Sequence, residues 1–243
     1  MTGTGNGAQP DGNAQALLFA RDLAKLNTLR RAYERLVPAP VDREEPTVTV
    51  REATALFTDL RGFTHLAETF ANDPAALLAV VNEHLVVVVR AVTRCAGVVE
   101  KFVGDGLLAT FGARVDQPDH RERALAAALG VVGANEALNR RRSAAWGFRL
   151  DVGVAAAAGP IVVGRIGSAE RSELGVLGDP INVAARLVAR AGAGEALFAE
   201  SVYAELAHTV RADMLGRSAV RGRDGELNIY RVAVLGERSP LSS

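Results

Sequence analysis

The sequence predicts an α+β fold with a ferredoxin-like β-α-β-β-α-β core, preceded by an N-terminal helix. Three observations carry this. Apolar segments with strand and helix signatures follow one another in that order from Val48 onward. A Gly104-Asp105-Gly106 turn joins two of the strands as a hairpin. Asp73-Pro74 opens a helix between the first strand and that hairpin.

Taken in order, residues 1–13 are rich in Gly, Asn and Gln and read as a disordered lead. From Ala14 to Leu36, Leu17, Leu18, Leu23, Leu26, Leu29, Tyr33 and Leu36 recur near heptad spacing. That narrow stripe suits a coiled coil or a connector helix docked on a partner; an amphipathic helix lying on its own domain would show it too. Pro38, Pro40 and Pro46 mark a linker running to residue 46. The main domain spans 47–235. Val48–Thr58 reads as a buried strand, and Thr64–Arg94 as one or two helices interrupted at Asn72-Asp73-Pro74, where Asp73 caps. Gly97–Phe111 is the hairpin, Asp119–Arg141 a helix, Phe148–Ile166 a glycine-broken strand pair and Pro180–Ala191 a helix. Gly194–Phe198, a helix around Ser201–His208, and Leu227–Val234 complete the domain, and 236–243 is a flexible tail. No internal repeat is visible.

Composition narrows the function. The 243 residues carry 28 basic and 28 acidic side chains, are 49% hydrophobic and only 5% aromatic. Balanced charge gives no electrostatic footprint for nucleic acid or for a membrane surface. Among the basic residues only Lys25 and Lys101 are lysine. Codon usage alone would produce that bias, but a lone lysine in an arginine-rich chain also marks a place where a compact ammonium is wanted. The single cysteine, Cys95, excludes a disulfide framework and a thiolate zinc site, and reads as a small core residue. His65, His84, His120 and His208 have no metal-ligand spacing. The longest apolar run, Leu85–Val89 continuing into Ala91 and Val92, is broken by Arg90 and is too short to span a bilayer. With no signal peptide in the N-terminal residues, the expected location is cytoplasmic.

Three stretches carry chemistry. In Leu56-Phe57-Thr58-Asp59-Leu60-Arg61-Gly62-Phe63-Thr64, an apolar strand ends at a carboxylate and a glycine turn leads into a helix. Asp59 there is either a hard oxygen ligand for Mg²⁺, beside backbone N–H groups of Gly62, Phe63 and Thr64 that can cradle a phosphate, or simply a helix cap. In Glu100-Lys101-Phe102-Val103-Gly104-Asp105-Gly106, a second carboxylate sits in the hairpin turn. Its flanking glycines leave room for another segment or a nucleotide, although turns carry Asp-Gly for conformational reasons alone. Two such carboxylates, if adjacent, could hold two metal ions for an in-line displacement at phosphorus. In Gly178-Asp179-Pro180-Ile181-Asn182-Val183-Ala184-Ala185-Arg186, Pro180 opens a helix on which Asn182 and Arg186, four apart, share a face. That face suits an anionic, ribose-bearing ligand and equally an ordinary solvated surface.

Together these stretches resemble the class III nucleotidyl cyclases, the adenylate and guanylate cyclase catalytic domains. The matching segments are FTDLRGFT, EKFVGDGLLATFG, VVGRIGSAER and LGDPINVAARL, in the family's order, over about Val48 to Val234. No P-loop signature occurs. The resemblance implies a class III cyclase fold, with an extended, mostly antiparallel sheet flanked by helices. It implies two Mg²⁺ or Mn²⁺ ions per site held by Asp59, Asp105 and the backbone carbonyl of Leu60. Lys101 would read adenine, Asn182 would position the ribose, and Arg186 would stabilise charge developing on the phosphates. Arg171, Arg221 and Arg223 are candidates for the triphosphate. Sites would form between two subunits of a homodimer, the metal pair from one and Lys101, Asn182 and Arg186 from the other, with an upstream sensor joined through the connector. The expected activity is conversion of ATP to 3′,5′-cyclic AMP and diphosphate.

Two departures stand out. Seven residues before Asn182, where the family usually has Asp or Thr as its second purine reader, this sequence has Gly175. The Gly153–Gly159 segment also reads about two residues longer than the usual hairpin. Guanylate or dual specificity, or a weakly active nucleotide-binding signalling module, are therefore the alternatives.

Overall fold

In the computed structural model, residues 48–167, 172–219 and 226–232 are described. The expected lead, connector helix, linker and tail lie outside them, as do Arg171, Arg221 and Arg223. The elements in chain order are β1 (Thr49–Arg61), α1 (Phe63–Thr69), α2 (Pro74–Arg94), β2 (Val98–Val103), β3 (Gly106–Phe111), α3 (His120–Trp146) and β4 (Asp151–Gly167). These are followed by β5 (Ser172–Leu177), α4 (Asp179–Val188), β6 (Ala196–Ala199), α5 (Glu200–Leu206), β7 (Ala212–Ala219) and β8 (Glu226–Val232).

Among the described residues eight strands form one sheet in the order β2-β3-β1-β4-β6-β8-β7, with β5 paired to the far end of β4. The first four give the ferredoxin-like order expected from the sequence, and every pairing is antiparallel except β4 with β6. β1 is covered on both faces, which is why it reads as a continuous apolar run. Leu56 packs with Val88, Val92, Ala124, Ala127 and Ala128 of α2 and α3, and the small side chains of α3 let that helix lie close on the sheet. Ala53, Ala55 and Phe57 face the other way, with Val183, Ala184 and Leu187 of α4.

A polar clamp fixes the start of β4. Asn135 Nδ2 and Asn139 Nδ2 donate to the Leu150 carbonyl at 2.5 and 2.8 Å, and the Leu150 amide donates to Asn139 Oδ1 at 2.9 Å. All three residues are buried, so each polar atom needs such a partner.

Four expectations are corrected. Phe148–Ile166 is not a strand pair: 17 residues, Asp151–Gly167, form one uninterrupted strand, so Gly153 and Gly159 lie inside it rather than in a hairpin. They are close-approach positions. A Cβ on Gly153 would stand 3.0 Å from Ala191 Cβ and from Arg61 Nε, and one on Gly159 3.1 Å from Pro180 Cγ. Helix α3 runs to Trp146, beyond Arg141, where Trp146 stacks on Phe148 and Gly147 ends the helix in the left-handed region at φ 67°. Strands β5 and β7 lie outside the expected elements; their residues are largely exposed and carry no clean alternation, and β7 is bulged at Leu215, between Met214 and Gly216. Finally, α2 is by length and composition apolar enough to cross a membrane, since the helix runs well past both ends of the Leu85–Val92 stretch; one side of it packs into the core beneath β1.

Candidate active site

The end of β1 and the β2–β3 turn meet at one edge of the domain. β1 and β3 run antiparallel with Thr58 opposite Leu107, and the Leu107 amide donates to Thr58 Oγ1 at 3.1 Å. The turn lies hard against β1. A Cβ on Gly106 would stand 1.8 Å from the Thr58 carbonyl oxygen and 3.1 Å from Asp59 Cα, so only glycine allows this approach. Gly104, at φ 60°, closes the turn. The result is that Asp105 reaches across, and its Oδ2 accepts from the Leu60 amide at 3.1 Å.

Asp59 and Asp105 thus converge. Burial pushes the Asp105 carboxyl above its ordinary value; a hydrogen bond from its own backbone offsets part of this, and the Asp59 charge adds to the rise. Asp59 does not cap α1: that place is taken by Gly62 at φ 74°, and Asp59 instead accepts from Arg61 Nη2 at 2.5 Å. Among the described residues no three His, Cys, Asp or Glu side chains gather as a metal cage. A hard cation here would take the two carboxylates and a backbone oxygen, a donor set suited to Mg²⁺ or Mn²⁺ with its remaining positions open. Gly62, Phe63 and Thr64 follow directly at the start of α1, beside a cleft lined by Leu60, Arg61, Phe63, Phe148 and Arg149.

A match to the model of the adenylate and guanylate cyclase catalytic domain covers residues 46–233. The chain belongs to that family. The cyclase domain resembles the crystal structure of the adenylyl cyclase CyaB from P. aeruginosa, with a TM-score of 0.70 and 26% identity over 81% of this chain and 100% of that one. It also resembles the guanylyl cyclase Cya2, with a TM-score of 0.69 and 29% identity over 80% and 98%. Adenylate cyclase 1 of Rhizobium meliloti is 32% identical over 75% of this chain and 27% of its own length. The chain spans 27% to 44% of the length of the curated relatives it matches.

The cyclase domain groups the residues expected at the site unevenly. Asp59, Leu60, Asp105 and Gly62–Thr64 are together. Asn182 and Arg186 do share one exposed face of α4, opposite the buried Ala184 and Val188. Lys101 is exposed on β2, opposite Leu108. Gly175, on β5, pairs with Gly164, eleven positions along β4 from the residue facing Asp59, which is roughly 35 Å of strand. Within one chain it is far from the carboxylates.

Sequence reading missed two groups. A bulge between Val99 and Lys101 turns Glu100 inward, where it accepts from Thr110 Oγ1 at 2.7 Å and from Arg114 Nε at 3.1 and 3.2 Å. Arg114 also donates to the Leu174 carbonyl of β5 at 3.1 Å, next to Gly175. The second is Ile166. Its Cδ1 lies 2.5 Å from where a Gly175 Cβ would be, so an isoleucine fills the space that a side chain at 175 would use. The Gly175 substitution was the one signal in the sequence that this neighbourhood differs.

Proposed function

We propose that the chain is an adenylate cyclase, converting ATP to 3′,5′-cyclic AMP and diphosphate at sites shared by two subunits of a homodimer. The observation that carries this is the convergence of Asp59 and Asp105, enforced by Gly106, in a domain of the cyclase family. The separation of Gly175 from the carboxylates within one chain supports a composite site, since a purine could meet both only if a second chain contributed.

In this reading Asp59, Asp105 and the Leu60 carbonyl hold two Mg²⁺ or Mn²⁺ ions. Bound there, such ions supply charge neutralisation for the triphosphate and a lowered pKa for the ribose 3′-hydroxyl. The chain's own residues do the rest. The amides of Gly62, Phe63 and Thr64 receive phosphate oxygens. Asn182 orients the ribose so that its 3′-oxygen lies in line with the α-phosphorus, and Arg186 offsets the charge that grows on the phosphates. Lys101 donates to adenine N1, a contact that guanine, protonated at N1, does not offer. Arg171, Arg221 and Arg223 add charge for the triphosphate. Residues 47–235 are the catalytic unit, 14–46 connect it to an upstream regulatory segment, and the whole works in the cytoplasm.

A guanylate or dual activity is the second reading, favoured by Gly175, which with Ile166 against it offers no side-chain acceptor to an adenine amino group. Parallel assays with ATP and GTP at equal Mn²⁺ decide between them: cyclic AMP in excess is expected, and a larger yield of cyclic GMP would reverse the assignment. Asp59→Asn should lower either yield at least about a hundredfold. Nucleotide binding without any cyclic product would instead indicate a signalling module.

A further inference from the structure

We propose that Arg61 is a built-in counter-ion of the carboxylate pair, seated in a notch that Gly153 opens, and that a divalent cation must displace it from Asp59 in order to bind. This rests on the reading of Asp59 as a metal ligand. Asp59 and Arg61 are two apart on β1 and so share a face, opposite Gly153 and Asp151 of β4. Arg61 does not extend toward Asp151, which is engaged by Arg149 at 3.7 Å. It folds back along the strand to place Nη2 2.5 Å from Asp59 Oδ2.

The fold-back depends on a missing side chain. A Cβ on Gly153 would stand 3.0 Å from Arg61 Nε and 3.1 Å from its Cζ, tighter than atoms tolerate without shifting. In that notch Nε is buried and has no hydrogen-bond partner among the described residues. An arginine free to choose its rotamer would satisfy that donor in water, so the guanidinium is held by the field of the two carboxylates. The pair is nonetheless loose, with side chains 22% and 40% exposed, and the cleft beside Phe63 and Phe148 is open to receive the displaced group. A divalent ion approaching Asp59 therefore meets a positive charge at hydrogen-bond distance from one of the oxygens it needs.

The test is titration of the full chain with Mn²⁺ alone, following free Mn²⁺ by its EPR signal. Arg61→Gln should bind Mn²⁺ at least about fivefold more tightly than the parent, and Arg61→Lys should return to within about twofold of it by restoring the charge. Gly153→Ala, which crowds the guanidinium, should shift in the direction of Arg61→Gln. Equal or weaker binding by Arg61→Gln, or no binding in either, overturns the proposal if Asp59→Asn impairs binding or none is seen. If Asp59→Asn binds Mn²⁺ as the parent does, the reading of Asp59 as a ligand fails first.

Discussion

Two arginine–carboxylate pairs flank the same hairpin and are built in opposite ways. Arg114 and Glu100 are 8% and 4% exposed, joined by several hydrogen bonds, and tie the β2 bulge to β5. Arg61 and Asp59 are 22% and 40% exposed and joined by one. The buried pair is rigid because leaving either charge alone in the interior would cost several kcal/mol. The exposed pair can part, because water can receive both members. Burial decides which arginine holds the frame and which can give way to an incoming ligand.

Breaking the buried pair should have the largest effect on stability. Glu100→Ala leaves the Arg114 guanidinium enclosed without its counter-charge, and is expected to lower unfolding stability by about 3–5 kcal/mol in chemical denaturation. Arg61→Ala, the matching lesion in the exposed pair, should cost less than about 1 kcal/mol. Similar losses at the two sites would refute the contrast.

A third buried group resolves the same constraint by giving up its charge. His84 is fully enclosed between α2 and α3 with Asn135 Oδ1 2.9 Å from its Nδ1; burial lowers its pKa from 6.5 to about 4, and the Asn135 bond offsets only part of that. The unfolded chain takes up this proton near pH 6.5, the folded one only near pH 4. Stability therefore falls as pH drops from about 6.5 to about 4 and levels off below. The full span is on the order of 3 kcal/mol. His84→Gln should flatten this part of the stability-against-pH curve relative to the parent, and an unchanged slope would count against a neutral, desolvated His84.

These pairs also explain what could be read from the sequence. The β2–β3 hairpin and the carboxylates at its turn and at the end of β1 were legible because glycine, aspartate and apolar runs obey local rules. So was the Asn182–Arg186 face, which needs only helical spacing. The bulge at Glu100 was not, since nothing local distinguishes an inward glutamate from an outward one; its reason is Arg114, fourteen residues away. β4 escapes a local reading for the same reason. Gly153 and Gly159 look like turn residues locally, yet they are there for the Arg61 and Pro180 side chains that other elements bring against them. Long-range close approach leaves no mark that a short window can read.

The smallest expected effect falls on a third pair, the one of the three with the most exposed arginine. Arg142 of α3 donates to Glu83 of α2 from Nε at 2.9 Å, with the side chains 41% and 30% exposed, and its guanidinium carbon lies 6.0 Å from the Trp146 ring centre. Here neither partner is trapped, so removing one leaves the other free to hydrate. Arg142→Ala should lower stability by about 0.5 kcal/mol, part of it lost contact with Trp146, and high salt should narrow the difference. A loss as large as that of Glu100→Ala would mean that α2 and α3 rely on this bridge, and that exposure alone does not rank the ion pairs of this domain.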